Sequence, residues 1–213
     1  MSLLSDQRDP KRYRFPLPNE IWRWNLKPPA FSILSYLCYL RTHSKTFAAP
    51  DLNGIAAQLH MSVDLAQAHS ADLIRRGLLD GQMVPTLANP GKNFFSLPYE
   101  LFSLGLGHGA ITVYAYLVFC EDRRTHQCYP SYKTIAATVH LAVNTVIKHV
   151  TKLADKQLIT VERTSYIDNK VMKWNSNNRY TILPIRAAVH SCYQQQLEQL
   201  TIDAYRQKLQ HTP

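Results

Sequence analysis

The sequence has few glycines, few acidic residues and no long apolar run. Its seven glycines are dispersed among 213 residues, which argues against a glycine-rich loop that grips nucleotide phosphates. No apolar stretch reaches the length of a membrane span, and the first residues lack the apolar centre of a signal peptide. We therefore expect a cytoplasmic protein that has no membrane segment.

Cysteine is also scarce, and the four cysteines are scattered. Cys120, His126, Cys128 and His140 suggest zinc by residue type, but their spacing lacks a paired C-x-x-C, and Cys120 belongs to an apolar helical run. No Ser, Cys or His has the spacing of a nucleophile with its base. We expect no metal, no cofactor and no enzymatic activity, and no small-molecule ligand is evident.

The charge is strongly one-sided. Lys and Arg total 24 against 15 Asp and Glu, which gives a net charge of +9 and a pI near 9.4. Such a balance favours a polyanionic partner, either nucleic acid or an anionic membrane surface. Charge alone does not separate the two.

Residues 129–159 carry a helix-turn-helix pattern. Two short apolar sets at helical spacing are separated by a compact turn at residues 141–143. Ser131 stands ahead of the first set as a candidate N-cap. The apolar sets are Ile135, Ala136 and Val139, then Val146, Val150 and Leu153.

The residues after this pattern predict a two-stranded wing. Residues 158–167 are rich in β-branched and aromatic side chains, residues 168–170 form a turn, and residues 171–183 return. Residues 94–185, with the segments PSYKTIA, NTVIKHVTKL and LI, resemble the winged-helix proteins of bacterial plasmids and mobile elements. That group includes replication initiators and regulators. In such proteins the second helix usually opens on Ser or Thr, whereas Ala142 stands here, which leaves the start of that helix open.

An internal repeat relates the two halves of the chain. FPLPNEIW, from Phe15, aligns with FSLPYELF, from Phe95, and the register continues without a gap at an offset of 80 residues. The expected fold class is mostly α with small β-wings, in two tandem winged-helix domains plus a C-terminal helix. The predicted domains are residues 15–94 and 95–184. Residues 1–14 form a flexible basic arm, which is either a minor-groove reader or a disordered terminus.

The basic charge is concentrated in the second unit. Residues 123–179 contain ten Lys and Arg against three acids, a balance of +7, whereas residues 43–99 contain four of each. Asn144 and Lys152 are replaced at the repeat offset by Asp64 and Asp72, and carboxylates repel phosphates. We expect the second unit to bind double-stranded DNA, the helix reading bases and the wing holding the backbone. The candidate residues are Lys133, Asn144, Thr145, Lys148, His149, Lys152, Arg163, Lys170, Lys173 and Arg179.

Residues 185–213 contain an amphipathic helix. Its apolar stripe is Val189, Tyr193, Leu197, Leu200 and Ala204. The stripe is either the seam of a homodimer or a face packed on the helix's own domain.

The sequence therefore predicts a sequence-specific DNA-binding protein that regulates transcription in a bacterium or a mobile element. The alternative is a plasmid or mobile-element replication initiator, because tandem winged helices suit repeated origin sites. A protein-interaction scaffold is the third reading, since the first unit carries no net charge. Sequence alone does not choose between a promoter and an origin.

Overall fold

Helices dominate the computed structural model, and the strands among its described residues form three small antiparallel sheets. This confirms the mostly α fold class with small β elements. The structure describes residues 13–44, 46–87, 91–167, 173–175 and 177–210. None of the helices in these ranges is long and apolar enough to cross a membrane.

The described part of the first half contains one strand, one 3-10 helix and three α-helices, and each α-helix begins at a recognisable signal. Pro28 occupies the first position of α1, where proline costs no hydrogen bond. Asp51 caps α2 by accepting from the Gly54 N–H at 2.8 Å, and Ser62 caps α3. These elements are β1 (Arg14–Pro18), a 3-10 helix (Asn19–Trp24), α1 (Pro28–His43), α2 (Leu52–Gln58) and α3 (Val63–Arg75).

The second half repeats this order. The helices α3 and α6 both have 13 residues, and their first residues, Val63 and Val143, are one repeat apart. His60 and His140, also one repeat apart, both have positive φ where the preceding helix ends. The elements are β2 (Phe94–Pro98), a second 3-10 helix (Tyr99–Ser103), α4 (His108–Cys120), β3 (Gln127–Cys128), α5 (Tyr132–Val139) and α6 (Val143–Asp155).

The two halves join through their leading strands. Strands β1 and β2 pair antiparallel, so that Phe15 faces Leu97 and Leu17 faces Phe95. The pairing is symmetric about Pro16 and Ser96, which are themselves one repeat apart. Helices α1 and α4 also pack against each other, and the buried apolar residues of both halves form one cluster. Arg14, predicted to belong to the arm, lies in β1 and donates to the Ser96 carbonyl. The rest of the arm, residues 1–12, lies outside the described residues.

The wing of the second half is a three-stranded sheet in the order β3, β7, β4. The predicted strand over residues 158–167 is divided in two, and β5 pairs with β6 beyond the first pair. The predicted turn at residues 168–170 lies outside the described residues. The remaining strands are β4 (Ile159–Glu162), β5 (Ser165–Ile167), β6 (Lys173–Asn175) and β7 (Arg179–Ile182).

The first half has a turn where the repeat predicts a wing. Within residues 78–87, the described pairing is a single bridge between Leu79 and Pro85. The Asp80 carboxylate accepts from the Gln82 and Val84 N–H groups, which closes the turn tightly. The sequence predicts a first wing that runs through residues 78–87, turns at residues 89–91 and leaves by Phe94. Residues 88–90 lie outside the described residues, and Phe94 begins β2, which pairs with β1.

The last helix, α7 (Ile185–Gln210), packs on the core of the chain through its first turns. Ile185 and Ala188 are buried, and Val189 packs on the core. The predicted stripe then leaves the core: Tyr193, Leu197 and Leu200 are 60%, 58% and 66% exposed.

Candidate nucleic-acid interface

The helix-turn-helix pattern folds as its apolar spacing predicts. Ile135 and Val139 of α5 and Val146 and Leu153 of α6 are fully buried, which fixes the two helices against α4. Each fully buried side chain of this size stabilises the fold by roughly 1.5–3 kcal/mol. The opposite face of α6 is left to solvent.

The caps of α5 and α6 differ. Ser131 Oγ accepts from the Thr134 N–H at 3.0 Å, as predicted for the N-cap of α5. Helix α6 starts at Val143, and its N-cap Ala142 offers no side-chain cap. The departure at Ala142 therefore does not move the helix start, because burial of Val146 and Val150 holds the helix in place.

Three of the predicted residues form an exposed row on α6. Asn144, Lys148 and Lys152 are all exposed and follow one another at spacings of four residues, which places them on one face of the helix. Thr145 lies beside this row and is half-buried. The row presents one amide and two ammonium groups, which can donate to base edges and to phosphates.

His149 lies apart from this row. Its ring is half-buried against α4, and a Cβ at Gly109 would lie 2.3 Å from His149 Nε2. The ring therefore occupies a space that only glycine leaves open. Burial, and then the Lys152 and His108 charges, lower the pKa of His149, so the neutral imidazole is favoured there.

The remaining candidates surround α6 on other elements. Lys133 is exposed on α5, and Arg163 is exposed just after β4. Arg179 of β7 forms an ion pair with Glu162 of β4 across the wing. Lys173 begins β6, and Lys170 lies outside the described residues.

Two exposed apolar residues of α6 are absent from the predicted contact residues, which were chosen for their polar side chains. Val143 and Ile147 are 37% and 38% exposed, four residues apart, and each directly adjoins one member of the polar row. Apolar side chains at such positions can contact the methyl group of thymine. The signal was present in the sequence as apolar residues that lie off the buried stripe.

The matching face of α3 has a different character. Asp64 is exposed, and Ala68 occupies the position of Lys148. Asp72 forms ion pairs with Arg75 and Arg76, the latter at 3.1 Å. The Arg76 guanidinium also donates to the Trp24 carbonyl at 2.7 Å. The basic residues of α3 are therefore already engaged within the chain.

The family comparison agrees with this geometry at the level of the domain. No curated protein is significantly similar to the chain. A solved structure described as a possible transcriptional regulator from Methanosarcina mazei Go1 is similar over 52% of this chain and 89% of its own, at 18% identity and a TM-score of 0.35. Residues 104–159, which run from just before α4 to the first residue of β4, match the family described as a helix-turn-helix domain.

Proposed function

We propose that this chain is a sequence-specific double-stranded DNA-binding protein that regulates transcription. The observation that carries the proposal is the exposed row of Asn144, Lys148 and Lys152, on the second helix of a helix-turn-helix domain. A helix that is anchored by one buried stripe and free on the other face can enter a major groove. The net charge of +9 supplies the attraction to phosphates.

The wing contributes the backbone contacts in this proposal. Lys133 on α5, Arg163 just after β4 and Lys173 on β6 contact phosphates in this proposal. Such contacts position the protein on the duplex and do not read its sequence. Arg179 supports the wing through its ion pair with Glu162. In this proposal the two sets of three helices are tandem helix-turn-helix units. Among the described residues, only the second unit is followed by a sheet that serves as a wing, and that unit alone meets DNA.

A bacterial or mobile-element regulator would bind single operators beside promoters, whereas a replication initiator would bind clustered repeats beside an origin. None of the described contacts favours the initiator, so regulation is the function we propose. Mapping the bound DNA across the genome of the source cell separates the two. Clustered sites at an origin would contradict a regulatory role.

DNA binding itself is tested by fluorescence anisotropy with a mixed-sequence duplex and with a site selected from a random library. We expect the selected duplex to bind at least a thousandfold more tightly than the mixed one at physiological salt. Equal affinity for the two duplexes would mean that binding is driven by charge and is not sequence-specific. Absence of binding at low salt would remove DNA as the partner and favour a protein-interaction scaffold.

We also propose that α7 forms a homodimer through Tyr193, Leu197 and Leu200. Their spacing of four and three residues aligns them on one face, and all three are exposed. Two linked chains would bind a palindromic site about a hundredfold more tightly than one chain, since the second binding event becomes intramolecular.

Sedimentation of the intact chain and of a Leu197→Ser, Leu200→Ser variant tests the dimer. The variant should be monomeric, bind palindromic sites more weakly, and keep its affinity for half-sites. If the intact chain is monomeric at tens of micromolar, the stripe is not a dimer interface.

A further inference from the structure

An aromatic cavity lies where α1, the second 3-10 helix and α7 meet, away from α6. Its volume is about 460 Å³, within the range of pockets that hold small ligands. Rings from both halves of the chain surround it, and Tyr193 of α7 stands at its edge. The aromatic residues that line it are Tyr13, Tyr36, Tyr39, Tyr99, Phe102 and Tyr193.

The rings are held in place by one another. Tyr39 lies 5.4 Å from Tyr99 between ring centroids, and Tyr36 meets Phe102 edge-on at 5.2 Å. Pairs at these distances stabilise each other beyond their buried area. The rings therefore form a preformed wall, and binding of a ligand does not require these side chains to become ordered.

A carboxylate stands within this wall. Glu100 Oε2 is buried and lacks a hydrogen-bond partner among the described residues. The pKa of Tyr39 is raised by burial first and then by the Glu100 charge, which agrees with a carboxylate close to that phenol. Glu100 as a whole is half-buried and lines the cavity, so its carboxylate places a negative charge beside the rings.

The internal repeat offers a comparison within the same chain. On the other side of the β1 and β2 pair, Trp22, Tyr116 and Phe119 repeat the packing of Phe102, Tyr36 and Tyr39, with centroid distances of 5.2 to 6.0 Å. The second cluster has a cation at its border: the Arg123 guanidinium lies 6.0 Å from the Phe94 ring centroid and donates to the Phe94 carbonyl.

The cavity differs from its counterpart at the charged positions. His43 takes the place of Arg123, and Tyr99 takes the place of Asn19. Glu20, which corresponds to Glu100, is exposed. Neither Lys nor Arg is present among the described residues that line the cavity. The cavity thus has more phenols than its counterpart, a half-buried acid, and the His43 ring packed on Tyr39 and Tyr99 at 5.6 and 5.1 Å where its counterpart has an arginine.

We propose that this cavity binds a small organic cation, held by the Glu100 carboxylate and by the ring faces of Tyr36, Tyr39 and Tyr99. The faces of such rings attract ammonium groups, and the carboxylate supplies the opposite charge. The site is independent of the proposed DNA contacts, because none of its residues belongs to α6 or the wing.

Isothermal titration of the full chain with benzyltrimethylammonium tests the proposal. We expect a dissociation constant of about 1 mM or lower for this eleven-atom ligand. Choline and its uncharged carbon isostere, 3,3-dimethyl-1-butanol, then separate charge from shape. Binding of the isostere as tight as that of choline, or no binding of benzyltrimethylammonium, would overturn the proposal.

Matched variants locate the site. Glu100→Gln and Tyr39→Leu should each weaken binding about tenfold, while their counterparts Glu20→Gln and Phe119→Leu should leave it unchanged. A folded Glu100→Gln variant that binds with full affinity would exclude the carboxylate. A full chain in which Arg8, Lys11 and Arg12 are all replaced by Ala provides the last arm. If only that variant binds the probe, the chain's own arm occupies the cavity and the proposal fails.

Discussion

Helices α3 and α6 occupy equivalent places in the two halves but present opposite surfaces. Each has 13 residues and buries its side chains at matching positions, with Leu73 in α3 and Leu153 in α6 fully buried. Their solvent-facing sides differ by four substitutions that change charge. Those pairs are Asp64 and Asn144, Ala68 and Lys148, Asp72 and Lys152, and Arg75 and Asp155.

The comparison teaches that fold and binding are encoded on different faces of the same helix. Buried positions accept few alternatives, because a cavity or an unpartnered polar group costs several kcal/mol. Exposed positions change at almost no cost to stability. A repeated unit can therefore keep its packing while only one copy carries a DNA-binding face.

The largest effect is expected from removing the shared packing. Leu73→Ala and Leu153→Ala should each lower the free energy of unfolding by about 2–5 kcal/mol, since both side chains are fully buried. Both should shift the same cooperative transition, because the two halves share one core. Chemical denaturation followed by circular dichroism measures this. Two separate transitions, each sensitive to one variant, would show that the halves unfold independently.

The exposed faces should respond unequally. Lys148→Ala with Lys152→Ala should weaken DNA binding by about 3 kcal/mol or more, because each lost charged contact costs roughly 1.5–3 kcal/mol. The slope of log affinity against log salt should flatten by about 1.8, or 0.9 for each phosphate contact. Arg75→Ala with Arg76→Ala is the matched control on α3 and should change little. An unchanged slope in the α6 variant would remove both lysines from the interface.

Asn144 sharpens the contrast within α6 itself. Asn144→Ala should relax preference at one base pair of the site, at a cost of about 1–3 kcal/mol, since asparagine pairs with the edge of adenine. Binding to a panel of single-base variants of the selected site gives the measurement. Uniform weakening over all sequences would instead assign Asn144 to a phosphate.

A smaller effect on stability is expected from the one buried position at which α3 is polar and α6 is apolar. Ser70 is 2% exposed, and its hydroxyl has no partner among the described residues, whereas Val150 stands at the equivalent place in α6. Ser70→Val should therefore raise the free energy of unfolding by about 1 kcal/mol, as a buried polar group without a partner is replaced by an apolar one. The reverse change, Val150→Ser, should be destabilising. A destabilised Ser70→Val variant would mean that the first half has less room at this position than the second.

The smallest effect concerns three histidines near the two helices. Burial is the main cause that lowers the pKa of His69, His108 and His149, and His108 is further affected by His69. A lowered folded-state pKa means that stability is full above about pH 6.5 and falls as pH drops through the folded-state values. Nearby charges act on the same groups, with Lys27 and Lys152 opposing protonation and Asp72 favouring it.

Urea midpoints at pH 7.5 and pH 5 measure this dependence. His149→Gln should reduce the loss of stability on acidification, because a side chain that does not titrate replaces a half-buried imidazole. If this variant loses as much stability as the original chain, the loss arises from groups elsewhere.

Much of the second half was predictable because its signals are local. The apolar spacing of residues 135–153, the Ser131 cap and the apolar character of residues 110–120 all act within one or two helical turns. The first wing was predicted from apolar residues at 78–87 and turn residues at 89–91. Its described part is a short turn, so the repeat preserves the helices more faithfully than the loops. The division of the second wing into two strand pairs also escaped prediction, since β-propensity does not register a break in pairing.

The sequence by itself determined the helical order, the repeat of 80 residues and the concentration of positive charge in the second half. These follow from spacing and composition, which act along the chain. Only the tertiary structure decided that β1 pairs with β2, that His149 rests against Gly109 and that rings from both halves enclose Glu100. Such contacts join residues that are far apart in sequence, and whether they form depends on how the helices and strands pack, which local patterns do not specify.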